Sequence, residues 1–279
     1  MIIFKRAVDL DNYLFEQKRS GKNIAFVPTM GALHQGHLSL VGRARQSGLV
    51  VCSIFVNPTQ FNDPEDFRNY PVNIANDIEL LVRGGCELLF LPSVEEIYPA
   101  GFSKKQYDLG PIELTLEGAH RPGHFQGVCQ VVDRLLQIVQ PHDLFMGQKD
   151  YQQCMVIRKL IGLLGMEDKV NLVVVPTVRE KDGLAMSSRN LRLSSEQRKK
   201  APLLFETLNF IKDHLSQFSI PELKEQAKKE LTNHGFKVDY VEIADAQTLA
   251  PLQDCSGSCV ALVAASTGKI RLIDNLSLN

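Results

Sequence analysis

The chain has 279 residues, 44% of them hydrophobic and 23% charged. Length gives a prior of two domains or one large one, and this globular composition excludes disorder, collagen and coiled coil as whole-chain descriptions. Lys plus Arg number 31 and Asp plus Glu 32, a net charge of −1, which leaves no bulk field for holding nucleic acid or an anionic membrane.

The opening residues, MIIFKRAVDLDNYLF, break their short apolar start at Lys5 and Arg6, so no signal-peptide core is expected. No apolar run approaches the ~20 residues of a membrane helix, and a cytoplasmic protein is expected. Strands covered on both faces are predicted at residues 24–28, 49–56, 87–91, 144–146 and 170–175, where apolar runs are short and continuous. Helices are predicted between them. One carries Leu38, Val41 and Ala44 and ends at Gly48; the next carries Ile74, Ile78, Leu81 and Val82 before Gly84. A third carries Val128, Val131, Val132, Leu135, Leu136 and Val139 before Pro141, and a fourth spans 151–164 before Gly165. The alternation predicts an α/β fold, a doubly wound, Rossmann-like parallel sheet over residues 1–177. Between the third strand and the third helix lies a connection of about thirty residues containing AHRPGHF, long enough to be read as functional.

Beyond residue 177 the pattern changes. Amphipathic helices are predicted at 194–216 and 222–233, then strands at 238–243, 260–265 and 270–273, giving a smaller α+β domain over 178–279 with a short antiparallel sheet. The six cysteines contain no C-x-x-C, and only Cys255 and Cys259 lie close together. Cys52, Cys86, Cys129 and Cys154 sit in apolar stretches, as small buried hydrophobes do, so reduced thiols are expected throughout.

Four segments carry side chains suited to chemistry. PTMGALHQGH, residues 28–37, follows the first predicted strand and opens a helix. Amides at a helix start and the positive end of the dipole suit phosphate, and His34 and His37 can donate to charge growing on phosphorus. The same residues also fit a plain turn, or, with His120 or His124 as a further ligand, a zinc site. FVNPTQF, residues 55–61, offers Asn57 and Gln60 as neutral amides for hydroxyls and carboxylates. GQKDYQQ, residues 147–153, offers room at Gly147, a cation at Lys149, an acceptor at Asp150, and the amides of Gln152 and Gln153. KDGLAMSSRN, residues 181–190, places two hydroxyls beside Arg189, a set that can wrap terminal phosphates.

Taken together with EGAHRPGHFQGV, PTVREKDGLAMSSRN and RLIDN, these strings resemble the pantothenate synthetase family, within the HxGH adenylyl-transferring superfamily, in the same order from residue 28 to residue 275. The chain departs from the family pattern at Val72 and Asn73, where a basic residue and Thr are expected, and at His120, where a smaller residue is common. The resemblance implies an ATP-dependent ligase that joins (R)-pantoate to β-alanine through a pantoyl adenylate. It implies an ATP site at Met30, Gly31, Ala32, Leu33, His34, Gln35, Gly36 and His37, with His37 as the family's acid. Gly147, Gln148, Lys149, Asp150, Val178, Met186, Ser187, Ser188 and Arg189 complete that site, with Lys149 and Arg189 on the phosphates. Gln60 and Gln153 would hold pantoate, and Gln60 would border β-alanine. Mg²⁺ would arrive with ATP, with Asp77 as a candidate for its shell. A homodimer is expected on the same ground. Two rival readings are a nucleotidylyltransferase, which would want more basic residues around its second substrate, and a non-catalytic nucleotide-binding module.

Overall fold

Ile24, Ala25, Phe26 and Val27 expose none of their surface, and neither do Val50, Val51 and Cys52, which is the burial that strands covered by helices on both faces require. The computed structural model describes residues 1–61, 64–68 and 70–278. The chain divides into two compact units, one of Met1–Gly147 and Val156–Val175, the other of Gln148–Met155 and Pro176–Asn279.

The first unit opens with β1 (Ile2–Phe4), α1 (Ala7–Arg19), β2 (Ile24–Thr29), α2 (Gln35–Ala44) and β3 (Leu49–Ile54). It continues with α3 (Pro64–Arg68), α4 (Ile74–Arg83), β4 (Leu88–Phe90), α5 (Val94–Ile97), α6 (Glu117–His120) and α7 (His124–Val139). β5 (Asp143–Gly147), α8 (Tyr151–Leu163), which enters this unit at Val156, and β6 (Asn171–Val175) complete it. The six strands form one parallel sheet in the order β1-β4-β3-β2-β5-β6. β2 pairs with β3 on one side and with β5 on the other, so winding reverses at β2, and the loop that leaves its carboxyl end opens at the switch point where ligands bind such sheets. One face of the sheet is closed by Val41, Ala44 and Leu81 of α2 and α4, packed among Val27, Val50, Cys52, Leu89 and Phe145. Each large side chain buried there stabilises the fold by about 1.5–3 kcal/mol.

All five predicted strands are present in the doubly wound sheet. The sixth, β1, has no counterpart among the predicted elements: it is three residues long, and Ile2 and Ile3 stay 47% and 41% exposed at the sheet edge. Asn73, one of the departures from the family pattern, caps α4 by accepting from Asn76 N at 3.2 Å. Asn serves as well as Thr in that position.

The second unit contains α9 (Ser195–Lys200), α10 (Leu203–His214), α11 (Ile220–Asn233), β7 (Lys237–Asp245), β8 (Cys259–Thr267) and β9 (Ile270–Ser277). The strands form an antiparallel sheet, β7-β8-β9. Leu204, Leu208 and Ile211 of α10 and Leu223, Ala227 and Leu231 of α11 pack with Val241, Ile243, Ala261 and Val263. The single helix predicted over 194–216 is two, because Pro202 lacks the amide that would continue α9 into α10. The expectation of six reduced thiols is also corrected. Cys255 and Cys259 form a disulfide across a short loop, with Cα atoms 6.0 Å apart, a normal span for the bond. Cys52, Cys86, Cys129 and Cys154 are free and buried.

Candidate active site

The loop after β2 is held from below. Thr29 Oγ1 donates to Ser53 O at 2.8 Å and accepts from Gly31 N at 3.2 Å, tying the start of the loop to β3. Gly31 and Ala32 then turn through the left-handed region, with φ of +80° and +51°. A Cβ on Gly31 would lie 2.9 Å from Asp77 Oδ2 and 3.1 Å from Ile54 Cγ2, so glycine is required here for space as well as for conformation. Ala32 N donates to Asp77 Oδ2 at 2.9 Å and Leu33 N to Asp77 Oδ1 at 2.8 Å. Asp77 is wholly buried.

Asp77, the candidate for a magnesium shell, is thus engaged by the loop backbone through both oxygens. Both of its oxygens serve loop amides away from solvent, and its geometry is that of a carboxylate fixing a backbone. Among the described residues no group of three His, Cys, Asp or Glu side chains comes together as a metal site. His124, weighed as a zinc ligand, is 5% exposed and has Nδ1 2.8 Å from Gln60 O.

His34 caps α2. Its Nδ1 accepts from Gly36 N at 3.1 Å, and His37 Nδ1 accepts from His34 N at 3.3 Å. With Nδ1 accepting from a backbone amide, the donor role in the neutral imidazole falls to Nε2. The two rings are 4.2 Å apart between centroids. Two imidazoles are thus set side by side at the positive end of a helix, an arrangement suited to phosphate oxygens.

The loop after β3 is built around Asn57, which is 1% exposed. Its Oδ1 accepts from Thr59 N at 3.3 Å and from Tyr98 Oη at 2.9 Å, while Nδ2 donates to Gln60 Oε1 and to Gly127 O, both at 3.1 Å. Gln60 Nε2 lies 3.1 Å from Met30 Sδ. By residue type both amides in this segment suit a substrate, but the fold commits Asn57 to orienting Gln60. The first turn of α7 backs this loop so closely that a Cβ on Gly127 would lie 2.3 Å from Thr59 O.

The long connection before α7 is clamped to that helix. Gln126 accepts from Tyr107 N at 3.0 Å and donates to Tyr107 O at 2.9 Å, and buried Asp133 accepts from Tyr107 Oη at 2.7 Å and Lys105 Nζ at 2.8 Å. Tyr107 is pushed well above the usual phenol range, first by burial and then by the Asp133 carboxylate.

In the second unit, Gln148–Asp150 forms a single 3-10 turn, with Lys149 Nζ 3.7 Å from Asp150 Oδ1 and its side chain 19% exposed. Gln153 follows on α8, half-buried. Val178 O accepts from Met186 N at 3.0 Å, closing a small hairpin whose next residues are Ser187, Ser188 and Arg189. Ser187 caps the 3-10 turn Ser188–Arg192 by accepting from Arg189 N at 3.2 Å.

A family model for pantoate-beta-alanine ligase matches residues 2–277. The chain belongs to this family. Pantothenate synthetase of Thermus thermophilus is 46% identical over 260 residues, 92% of this chain and 94% of that relative. Pantothenate synthetase of Fervidobacterium nodosum is 45% identical over 269 residues, 95% of this chain and 94% of the relative. The crystal structure of the Thermus thermophilus protein superposes with a TM-score of 0.93 at 44% identity, covering 100% of this chain and 99% of that one. Pantoate-beta-alanine ligase from Francisella tularensis, solved in complex with beta-gamma ATP and beta-alanine, gives 0.84 at 36% identity, covering 100% and 98%. Membership of the pantoate-beta-alanine ligase family makes the chain an enzyme of pantothenate formation, and it agrees with the parallel sheet and with the order of motifs from residue 28 to residue 275. The positioning roles of Asp77, Tyr98 and Gly127 leave no mark in the sequence, since each acts across tens of residues of intervening chain.

Proposed function

We propose that the chain condenses (R)-pantoate with β-alanine, consuming ATP and releasing AMP and pyrophosphate through a pantoyl adenylate. The observation that carries this reading is the pair of imidazoles at the start of α2, each with Nδ1 accepting from a backbone amide. In the first step a pantoate carboxylate oxygen attacks the α-phosphorus, and the bond to the pyrophosphate oxygen breaks. In the second, the β-alanine amine attacks the acyl carbon, the bond to AMP breaks, and the amine sheds a proton. No covalent nucleophile on the enzyme is needed.

His34 and His37 act as donors to phosphate oxygens as charge builds there. The attacking carboxylate has no proton to give up, and an Nε2–H donor supplies what the transition state asks for. The amides and side chains of residues 30–37, together with residues 147–150, Val178 and residues 186–189, hold ATP, with Lys149 and Arg189 on its phosphates. Gln60 and Gln153 hold pantoate, and Gln60 borders β-alanine. Magnesium comes with the nucleotide as part of the substrate, held by phosphate and water. Work in the cytoplasm as a homodimer belongs to this reading on the ground of the family resemblance. Among the described residues no helix is long and apolar enough to cross a membrane.

Steady-state release of pyrophosphate from MgATP tests the reaction class. Turnover that requires both pantoate and β-alanine is expected. Pyrophosphate release driven by a phosphorylated acceptor in place of pantoate would point to a nucleotidylyltransferase, and ATP binding without turnover to a binding module.

A further inference from the structure

The RLIDN string at residues 271–275 has no role in the chemistry above, yet two of its side chains are among the most buried polar groups of the second unit. Asp274 is 4% exposed and Asn275 is 2% exposed. Asn275 Nδ2 has two hydrogens, and it donates one to Gln148 O and one to Lys149 O, both at 2.9 Å. Its Oδ1 accepts from Gln148 Nε2 at 3.3 Å. The whole amide is thus committed to the short turn that carries Lys149.

Asn275 is itself held rigidly. Its backbone N donates to Asp274 Oδ1 at 2.8 Å, and Asp274 receives both arms of the Arg179 guanidinium at 2.6 and 3.0 Å. Arg179 also donates to Asn275 O at 3.3 Å and to Gly183 O at 3.0 Å, and it lies 3.7 Å above the Phe205 ring. A two-pronged, stacked guanidinium has little freedom left. Arg179 also pairs across the small hairpin with Ala185, four residues before Arg189.

We propose that Asn275 is a positioning residue for Lys149: its side-chain amide fixes the two carbonyls of the 148–150 turn, and so sets where the ammonium meets the nucleotide phosphates, an assignment that rests on the reading of Lys149 as a phosphate-binding side chain. A 3-10 turn of three residues has few hydrogen bonds of its own, and Asn275 grips two of its three carbonyls. A displacement of about 1 Å in a catalytic group is enough to cost about 10²-fold in rate.

The test is a double-mutant cycle on the full chain, read as pantoate-dependent pyrophosphate release, with thermal melting to confirm folding. Asn275→Asp is isosteric but turns two donated hydrogen bonds into carboxylate-against-carbonyl contacts; Asn275→Ala removes them; Asn275→Ser keeps one donor. Asn275→Asp and Asn275→Ala are expected to lower kcat by about 10²-fold with an unchanged KM for pantoate, and Asn275→Ser to recover part of the loss. If Asn275 acts through Lys149, the double variant Asn275→Ala with Lys149→Ala turns over no more slowly than Lys149→Ala alone. A folded Asn275→Asp with wild-type kcat, or losses that multiply in the double variant, would overturn the assignment. Wild-type protein that releases no pantoate-dependent pyrophosphate would overturn the ligase reading first and this assignment with it.

Discussion

His37 shows how much chemistry a single backbone hydrogen bond can settle. With Nδ1 accepting from His34 N, the donor role in the neutral ring falls to Nε2, the atom that the proposed mechanism sets against phosphate charge. His37→Ala is expected to keep the fold, with a melting temperature lowered by the lost cap acceptor, and most ATP affinity, while lowering kcat by about 10²-fold or more; wild-type turnover would refute the role. Asp77 gives a prediction of a different kind. Asp77→Asn sets an amide N–H₂ against one of the two loop amides it now accepts, leaving a buried donor unmatched at a cost of about 1–3 kcal/mol. Urea unfolding should show that loss with an unchanged Mg²⁺ requirement. A raised Mg²⁺ requirement at unaltered stability would instead make Asp77 a metal ligand. The difference between these two residues is also a difference in legibility. His34 and His37 lie within one turn of helix, so their spacing is readable in the sequence, whereas Asp77 reaches its partners 44 and 45 residues away and carries no local signal of that use.

At the scale of elements, the first turn of α7 meets the Asn57–Gln60 loop backbone against backbone. Gly127→Ala would force a methyl to 2.3 Å from Thr59 O, and neither backbone can give way cheaply. A destabilisation of about 1–3 kcal/mol is expected, with a raised KM for pantoate because Gln60 shifts with its loop. A variant with normal stability and normal KM would show that the loop has slack. The strands themselves are readable because burial on both faces leaves continuous apolar runs, as in residues 49–54. β1 is not, since three residues beside Lys5 and Arg6 make no such run, and it is recruited to the sheet by pairing with β4. The helix predicted across residues 194–216 divides at Pro202 for the same reason that proline breaks any helix interior, a signal present in the sequence but masked by the amphipathic pattern around it.

Across the whole molecule, four thiols are sealed in the structure and two are joined. Burial pushes Cys86 up to about 11 and Cys129 up to about 12 from an ordinary 9.0. The folded state therefore holds protons that the unfolded state releases from about pH 9. The stability these two groups contribute is complete below that pH and is lost as pH climbs toward 11 and 12. The denaturant midpoint is expected to be lower at pH 10 than at pH 8, and iodoacetamide at pH 8 should leave the four free thiols unmodified until the protein unfolds. Rapid alkylation of the native protein would contradict their burial. The pairing of Cys255 with Cys259 is not legible in the sequence, because nothing in a C-x-x-x-C spacing fixes whether the intervening loop brings the two sulfurs together.

The most direct test of the chemistry is a single turnover without the second substrate. Enzyme in excess is mixed with MgATP and pantoate, quenched in acid over milliseconds to seconds, and analysed by mass. One equivalent of pyrophosphate per ATP consumed, together with a species of the mass of pantoyl adenylate that disappears when β-alanine is added, is the expected result. Formation of ADP and phosphate, or no pyrophosphate until β-alanine is present, would contradict attack of the pantoate carboxylate on the α-phosphorus.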